Sequence, residues 1–147
     1  MVGKLQEDLK QAQLARDEIK VSTLRLLLSE IKNAEIAKGG QLADSDVVTI
    51  VQREIKKRKE AAIGFRSGQR EEQAQKEEVE ALVLQGYLPA QLSNEELTKI
   101  IEESINEVGA KSISDMGRVI GVVMGKVKGQ AEGGVVSALV KEKLSYD

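Results

Sequence analysis

Residues 115–134, DMGRVIGVVMGKVKGQAEGG, place five glycines four residues apart inside a pattern that otherwise predicts a helix. The apolar residues between them follow the spacing i, i+3, i+4, i+7 of a helix with one buried face. At about 100° per residue, the first three glycines lie about 100°, 140° and 180° from Met116, whereas the apolar residues lie within about 80° of it. We therefore predict a helix whose first three glycines face away from the core. The five residues are Gly117, Gly121, Gly125, Gly129 and Gly133.

These glycines weaken the helix in which they lie. Each interior helical glycine is less favourable than alanine by roughly 0.5–1 kcal/mol, so the first three together cost about 1.5–3 kcal/mol. Three explanations are open. The glycines end a helix or form a loop, they line a close helix–helix seam, or they expose bare backbone on a polar binding surface.

A binding surface is favoured by the cations beside the glycines, since residues 116–131 include no acidic residue. Glycine lets a phosphodiester approach the backbone, and basic side chains supply the countercharge. We therefore predict a nucleic-acid-binding surface, for which tRNA is a candidate partner. Its predicted residues are Arg118, Gly121, Gly125, Lys126, Lys128 and Gly129.

The densest basic cluster in the chain lies elsewhere, within a predicted helix of the N-terminal half. Its residues are Arg53, Lys56, Lys57, Arg58 and Lys59. Two interpretations are open: a solvated face whose aliphatic stems cover the bundle, or a second set of phosphate contacts. The net charge is +3 for residues 1–66, −7 for residues 67–110 and +2 for residues 111–147. Contact with a polyanion must therefore come from a local patch.

The composition predicts an all-α fold. Aromatic residues make up 2% of the 147 residues and hydrophobic residues 41%, so the core must be built from Leu, Ile, Val and Ala, as in helical bundles. A single proline also suits a helical chain. Capping signals and apolar periodicity predict seven helices. The first five cover about 2–15, 17–38, 44–65, 69–85 and 94–108. The sixth is the glycine helix, which Ser112 with Asp115 is expected to open, and the last covers about 132–144.

The sharpest break in the pattern runs from Tyr87 to Ser93 and contains the only proline. We place the domain boundary there. Residues 1–91 are predicted to form a bundle of about four helices. Residues 92–147 are predicted to form a small three-helix domain.

The composition also excludes several kinds of site. The chain has no cysteine and no histidine, which excludes disulfides, thiolate nucleophiles, ordinary zinc sites and the usual ligands of haem and iron–sulfur clusters. We predict no catalytic residues, no metal and no cofactor. The N-terminus, MVGKLQEDLK, has no apolar signal region, and no segment approaches the ~20 apolar residues of a membrane span. We therefore expect a cytoplasmic protein with no membrane partner.

Several segments together resemble the YqeY family over essentially the whole chain. They are KLQEDLKQA (4–12), REIKKRKEA (53–61), YLPAQLSNEEL (87–97), EVGAKSISDMGRVIG (107–121) and MGKVKGQAEGGVVSALVKEKL (124–144). The C-terminal part is also similar to the tail domain of GatB, the B subunit of the glutamine-dependent tRNA amidotransferase. In that enzyme the tail grips the outer body of the tRNA.

The resemblance implies an all-helical protein of two parts and a family label of carbon–nitrogen ligase activity with glutamine as amido-N-donor. This chain resembles only the tail. It lacks the kinase-like domain that activates the aminoacyl-tRNA and the Ser-Ser-Lys apparatus of the amidase. The leading expectation is therefore a non-catalytic helical adaptor that binds tRNA. The alternatives are a protein-interaction module, docking on an amidotransferase or aminoacyl-tRNA synthetase without RNA affinity, and an enzyme of the amidotransferase type.

Overall fold

A computed structural model describes residues 1–145. Within these residues the chain forms seven α-helices, one short 3₁₀ turn and no strand, so the predicted all-α class is confirmed. None of these helices is both long and apolar enough to cross a membrane. The helices are α1 (Val2–Leu14), α2 (Glu18–Lys38), α3 (Asp44–Ser67), α4 (Glu71–Gln85), α5 (Asn94–Val108), α6 (Met116–Val127) and α7 (Gly133–Ser145), with the 3₁₀ turn at Ile113–Asp115.

The chain divides into two compact units, and the division falls after Leu88. The N-terminal unit, Met1–Leu88, contains α1 to α4. The C-terminal unit begins at Pro89 and contains α5 to α7. The boundary predicted from the sequence lies after residue 91, in the same irregular segment between α4 and α5.

The core of the N-terminal unit is aliphatic, as the scarcity of aromatic residues requires. The apolar residues of α2 and α3 recur at helical spacing, which gives each helix one buried stripe. Between α3 and α4 the packing continues through alanines, Ala62, Ala74 and Ala81, which let the two backbones approach closely. The buried cluster comprises Leu5, Leu24, Leu27, Ile31, Val47, Ile50, Val51, Ile55, Ala81 and Leu84.

The C-terminal unit is built around α6. Val119, Val123 and Val127 recur at i, i+4 and i+8 and are fully buried, which confirms the predicted apolar stripe of the glycine helix. They pack against apolar residues of α5 and α7 in one cluster. Val135 does not belong to this core, since it lies on the outer side of α7 with an exposed fraction of 40%. The partners of α6 in the core are Leu97, Ile101, Val136, Val140 and Leu144.

One predicted helix end is confirmed and two are wrong. Ser93 and Glu96 form the predicted capping box at the start of α5, with bonds of 3.1 and 3.0 Å. Helix α3 was expected to end near residue 65, but it continues to Ser67, because the single glycine at position 64 weakens a helix without ending it. Ser112 was expected to cap the glycine helix. Instead the 3₁₀ turn intervenes, and the Ser112 hydroxyl lies 2.6 Å from that of Ser114.

Candidate nucleic-acid interface

Helix α6 presents a row of bare backbone to solvent. Gly117, Gly121 and Gly125 lie inside one continuous helix and are all exposed. A Cβ atom added to any of them would meet nothing within 4 Å. They therefore neither end the helix nor line a seam within the described chain, and the prediction that they face away from the core is confirmed. We call these three residues the glycine face.

Three predicted cations accompany the glycine face, and two of them already have acidic partners. Arg118 is well exposed and donates to Asp115 Oδ1 at 2.7 Å. The ammonium of Lys126 donates to Glu107 Oε1 of α5, also at 2.7 Å. Lys128 is exposed and, within residues 1–145, makes no ion pair with a carboxylate. By the helical period, Arg118 borders the glycine face, whereas Lys126 lies about 100° beyond Gly125.

The acidic partner of Arg118 is held in its ionised form. The backbone amide of Lys111 donates to Asp115 at 3.0 Å, and this bond, together with the Arg118 guanidinium, lowers the pKa of Asp115 below its usual value. Exposed pairs of this kind contribute little to stability, because solvent screens them. A phosphate can therefore replace Asp115 as the partner of Arg118 at little cost in stability.

The fold itself accounts for Gly129, another predicted contact residue. Its φ of +84° lies in the left-handed region, which glycine adopts without strain, and it follows the last residues of α6. Its carbonyl accepts a hydrogen bond of 3.1 Å from Gln91 Nε2. The turn that ends α6 therefore explains this glycine without a ligand, in contrast to the glycine face.

The second predicted basic patch lies on α3, and the structure removes one of its members. Arg53, Lys56 and Lys59 are exposed, and Lys57 is exposed with an ion pair of 3.3 Å to Glu54. Arg58 was predicted to lie in this patch, but it is buried. Residue 58 falls on the side of α3 that faces α4, in register with the buried Glu54 and Ala62. The predicted patch is thus reduced to four residues.

Arg58 is surrounded by carboxylates in the seam between α3 and α4. Its Nη1 donates to Glu54 Oε2 at 2.9 Å and to the Glu54 carbonyl at 3.2 Å. Its Nε lies 3.4 Å from Glu80 Oε2 but makes no hydrogen bond. The guanidinium of Arg58 is therefore buried between α3 and α4 and is inaccessible to a phosphate.

Sequence analysis missed a polar cluster at the meeting of α1, α2 and the end of α4. The hydroxyl of Tyr87 donates to Asp8 Oδ2 at 2.6 Å, and Lys4 Nζ lies 5.8 Å from the centre of the Tyr87 ring. Burial, with the bond to Asp8, raises the pKa of Tyr87 above its usual value. The two partners are 79 residues apart, so no local spacing could have linked them.

A comparison with protein families finds one match over nearly the whole chain. The model described as Yqey-like protein matches residues 2–144. Curated relatives named "Altered inheritance of mitochondria protein 41, mitochondrial" are also similar. The one from Pyrenophora tritici-repentis is 34% identical over 98% of this chain and 78% of its own length. The one from Vanderwaltozyma polyspora is 36% identical over 73% of this chain and 60% of its own length.

The names of these relatives contradict the expected cytoplasmic location. That expectation was wrong because it relied on the lack of an apolar signal region. Mitochondrial targeting segments are amphipathic and not apolar, so the lack of an apolar region could not discriminate between the cytoplasm and the mitochondrion.

The chain matches only part of some relatives. In a third relative, from Eremothecium gossypii, the match spans 48% of that protein's length.

Proposed function

The chain belongs to the Yqey-like protein family, and from that premise we propose that it is a non-catalytic helical adaptor whose C-terminal unit contacts the phosphate backbone of tRNA. The observation that carries the proposal is the exposed glycine face, which Arg118 borders, together with the exposed Lys128 at the end of the same helix. Nothing within the described residues requires glycine at these three positions. We infer that glycine is needed there because an external partner contacts the helix at these positions.

The glycine face would act through close approach. The amides of Gly121 and Gly125 lie inside α6 and donate to carbonyls of the same helix, so these two glycines offer no free donors. What they offer is the absence of a Cβ, which lets a ribose–phosphate strand lie closer to the helix axis. At that distance Cα–H groups contact phosphate and sugar oxygens. Arg118 at the border of the glycine face and Lys128 at the end of α6 then supply the countercharge.

The expected affinity is modest. Three phosphate contacts, through Arg118, Lys126 and Lys128, give a slope of log K against log salt of about −2 to −3. Affinity then falls roughly 20–40-fold between 50 and 200 mM salt. A patch of this strength suits a component that helps a larger complex to hold tRNA. This fits the similarity of the C-terminal part to the amidotransferase tail.

A gel-shift titration with bulk tRNA at low salt tests the proposal. The variant Lys126→Ala with Lys128→Ala should bind more weakly and should reduce the salt slope by about 2. The matched control is Lys10→Ala with Lys32→Ala, which removes the same charge from exposed positions of α1 and α2. The control should bind like the parent. Equal binding by the test variant and the parent contradicts the proposal.

The adaptor is proposed to have no glutamine-dependent activity of its own. The carbon–nitrogen ligase label implied by the family resemblance describes a larger enzyme, whose activating and amidase parts this chain does not resemble. The purified chain should therefore release no ammonia from glutamine. Turnover that disappears with a single Ser or Lys substitution would instead establish the enzyme alternative.

A second candidate function is docking on a protein partner without RNA affinity, such as an amidotransferase or an aminoacyl-tRNA synthetase. It is favoured by the ion pairs that neutralise Arg118 and Lys126. It is also favoured by a shallow groove of about 550 Å³ along α2, in which Leu26 is 49% exposed. A pull-down whose partner survives both nuclease treatment and high salt supports this function over the tRNA adaptor.

A further inference from the structure

We propose that the N-terminal unit binds a small oxyanion, a phosphate or carboxylate group, in a pocket lined by Lys4 and Lys20. This pocket is separate from the proposed tRNA surface, and nothing in the family resemblance assigns it. Its volume is about 240 Å³, which suits one such group with the atoms that carry it. We call it the lysine–tyrosine pocket, and its lining residues are Lys4, Asp8, Lys20, Val83, Gly86 and Tyr87.

Three helices supply the polar groups of the lysine–tyrosine pocket. Lys4 and Asp8 lie one turn apart on the same side of α1. Lys20 lies in the first turn of α2, close to the positive end of that helix. Tyr87 follows the end of α4, where its amide donates to the Leu84 carbonyl at 3.0 Å. Because each group is attached to a helix end or a packed helix, the pocket is formed before any ligand arrives.

The charges in the lysine–tyrosine pocket are unbalanced toward positive. Asp8 accepts the Tyr87 hydroxyl at 2.6 Å, and the Tyr87 ring lies beside Lys4 Nζ at 5.8 Å from its centre. In the described part of the chain, the ammonium groups of Lys4 and Lys20 make no ion pair with a carboxylate. The lining of the pocket therefore includes two lysines and one carboxylate. Lys57 and Lys126, by contrast, each have a carboxylate partner.

This arrangement matches an oxyanion better than a cation or a zwitterion. The two lysines that line the pocket can provide up to six N–H donors, and oxyanions are the natural acceptors of such donors. The one carboxylate is already bonded to a hydroxyl, which leaves it poorly placed to serve as the main anchor of a bound cation. Its charge opposes an anion, however, so removing it gives a test with a definite sign.

The experiment is an NMR titration of the full chain with sodium phosphate and, separately, with sodium acetate, each at constant ionic strength maintained with chloride. The amide signals of Gly86 and Tyr87 should shift and saturate with at least one of the two anions. The anion that saturates at the lower concentration identifies the preferred group. Lys4→Gln and Lys20→Gln should each raise the Kd at least five-fold. Lys10→Gln, an exposed change on α1, should leave the Kd within two-fold of the parent.

The Asp8→Asn substitution gives the sharpest test, because its effect on binding has a definite sign. Asp8→Asn should lower the Kd for the anion at least three-fold, because the change removes the opposing charge and keeps an acceptor for the Tyr87 hydroxyl. The proposal is overturned if neither anion saturates the shifts, if Lys10→Gln weakens binding as much as Lys4→Gln, or if Asp8→Asn weakens it. Lys126→Ala with Lys128→Ala should bind the anion like the parent, so this test does not depend on the tRNA proposal.

Discussion

The two units place their charged residues in opposite ways. In the N-terminal unit the seam between α3 and α4 buries Glu54 and Arg58, together with most of Glu80. Among the described residues of the C-terminal unit no charged side chain is buried, and the one buried polar side chain is Ser104, which donates to the Ile100 carbonyl at 2.8 Å. A cluster of basic residues in the sequence therefore does not reveal where its members lie. Their position in the helical period does.

The buried charges occupy a seam that has little else to specify it. Ala62 and Ala74 are the buried apolar residues that continue the seam beyond the main core. Small side chains let helices approach but fix their register poorly. We infer that the Glu54–Arg58–Glu80 cluster fixes how α3 pairs with α4, because a slip of one turn would leave buried charges without partners. In the C-terminal unit, bulkier Val, Leu and Ile side chains fix the packing instead.

The largest expected effect tests that cluster. Arg58→Ala should lower the free energy of unfolding by about 3–5 kcal/mol, because it removes the buried cation between Glu54 and Glu80. Glu54 then keeps only the exposed Lys57 as a partner. Urea denaturation followed by circular dichroism measures it. The matched control is Arg53→Ala, an exposed arginine one turn and a little more away on α3, which should change stability by less than about 0.5 kcal/mol. Similar losses of stability for Arg58→Ala and Arg53→Ala would show that the buried charges of the N-terminal unit contribute no more to stability than an exposed arginine does.

Much of the fold could be predicted from local pattern, while the polar contacts could not. The valine stripe of α6 and the capping box at Ser93 follow from spacing alone, and the structure has both. The burial of Arg58 depends on α4 supplying Glu80, and the Tyr87–Asp8 bond joins the two ends of one unit. Such long-range pairings leave no periodic trace in a sequence. The glycine face was predicted correctly because it is a property of one helix.

Gly109, which ends α5, differs from the glycine face because its backbone conformation itself requires glycine. Gly109 has a φ of +66°, in the region that costs other L-residues roughly 1–2 kcal/mol. Gly109→Ala should therefore destabilise the C-terminal unit by about that amount. Thermal unfolding followed by circular dichroism measures it. An unchanged or higher Tm would mean that the end of α5 relaxes to another turn.

The same substitution on the glycine face should have the opposite sign. Gly121→Ala adds a Cβ that meets nothing within 4 Å and removes a poor helix former, so the unfolding free energy should rise by about 0.5–1 kcal/mol. If tRNA approaches α6 closely, the same variant should bind tRNA more weakly in the gel shift. Greater stability with unchanged tRNA binding would show that the glycine face has no role in the contact.

The smallest expected change in stability concerns Glu77, a carboxylate of α4 in the N-terminal unit. Burial, followed by the nearby charge of Glu80, raises the pKa of Glu77 above its usual value. A carboxyl group whose pKa is raised in the folded state favours folding only when protonated. The folded state therefore loses stability as the pH rises through the ordinary pKa of a glutamate and then through the higher pKa of Glu77 in the folded protein. Glu77→Gln removes this penalty and should stabilise the protein at pH 7 by about 0.5 kcal/mol or less, with no difference below the unfolded pKa.

The control for that change lies in the other unit. Glu103→Gln alters an exposed carboxylate of α5 that has no ion pair among the described residues. Urea denaturation at pH 7 and pH 4 should show a pH-dependent gain for Glu77→Gln and none for Glu103→Gln. A gain of equal size in both variants would assign it to the overall reduction of negative charge. A gain confined to Glu77→Gln would show that the seam holds more carboxylates than Arg58 can neutralise, which is the physical cost of placing charge inside the N-terminal unit.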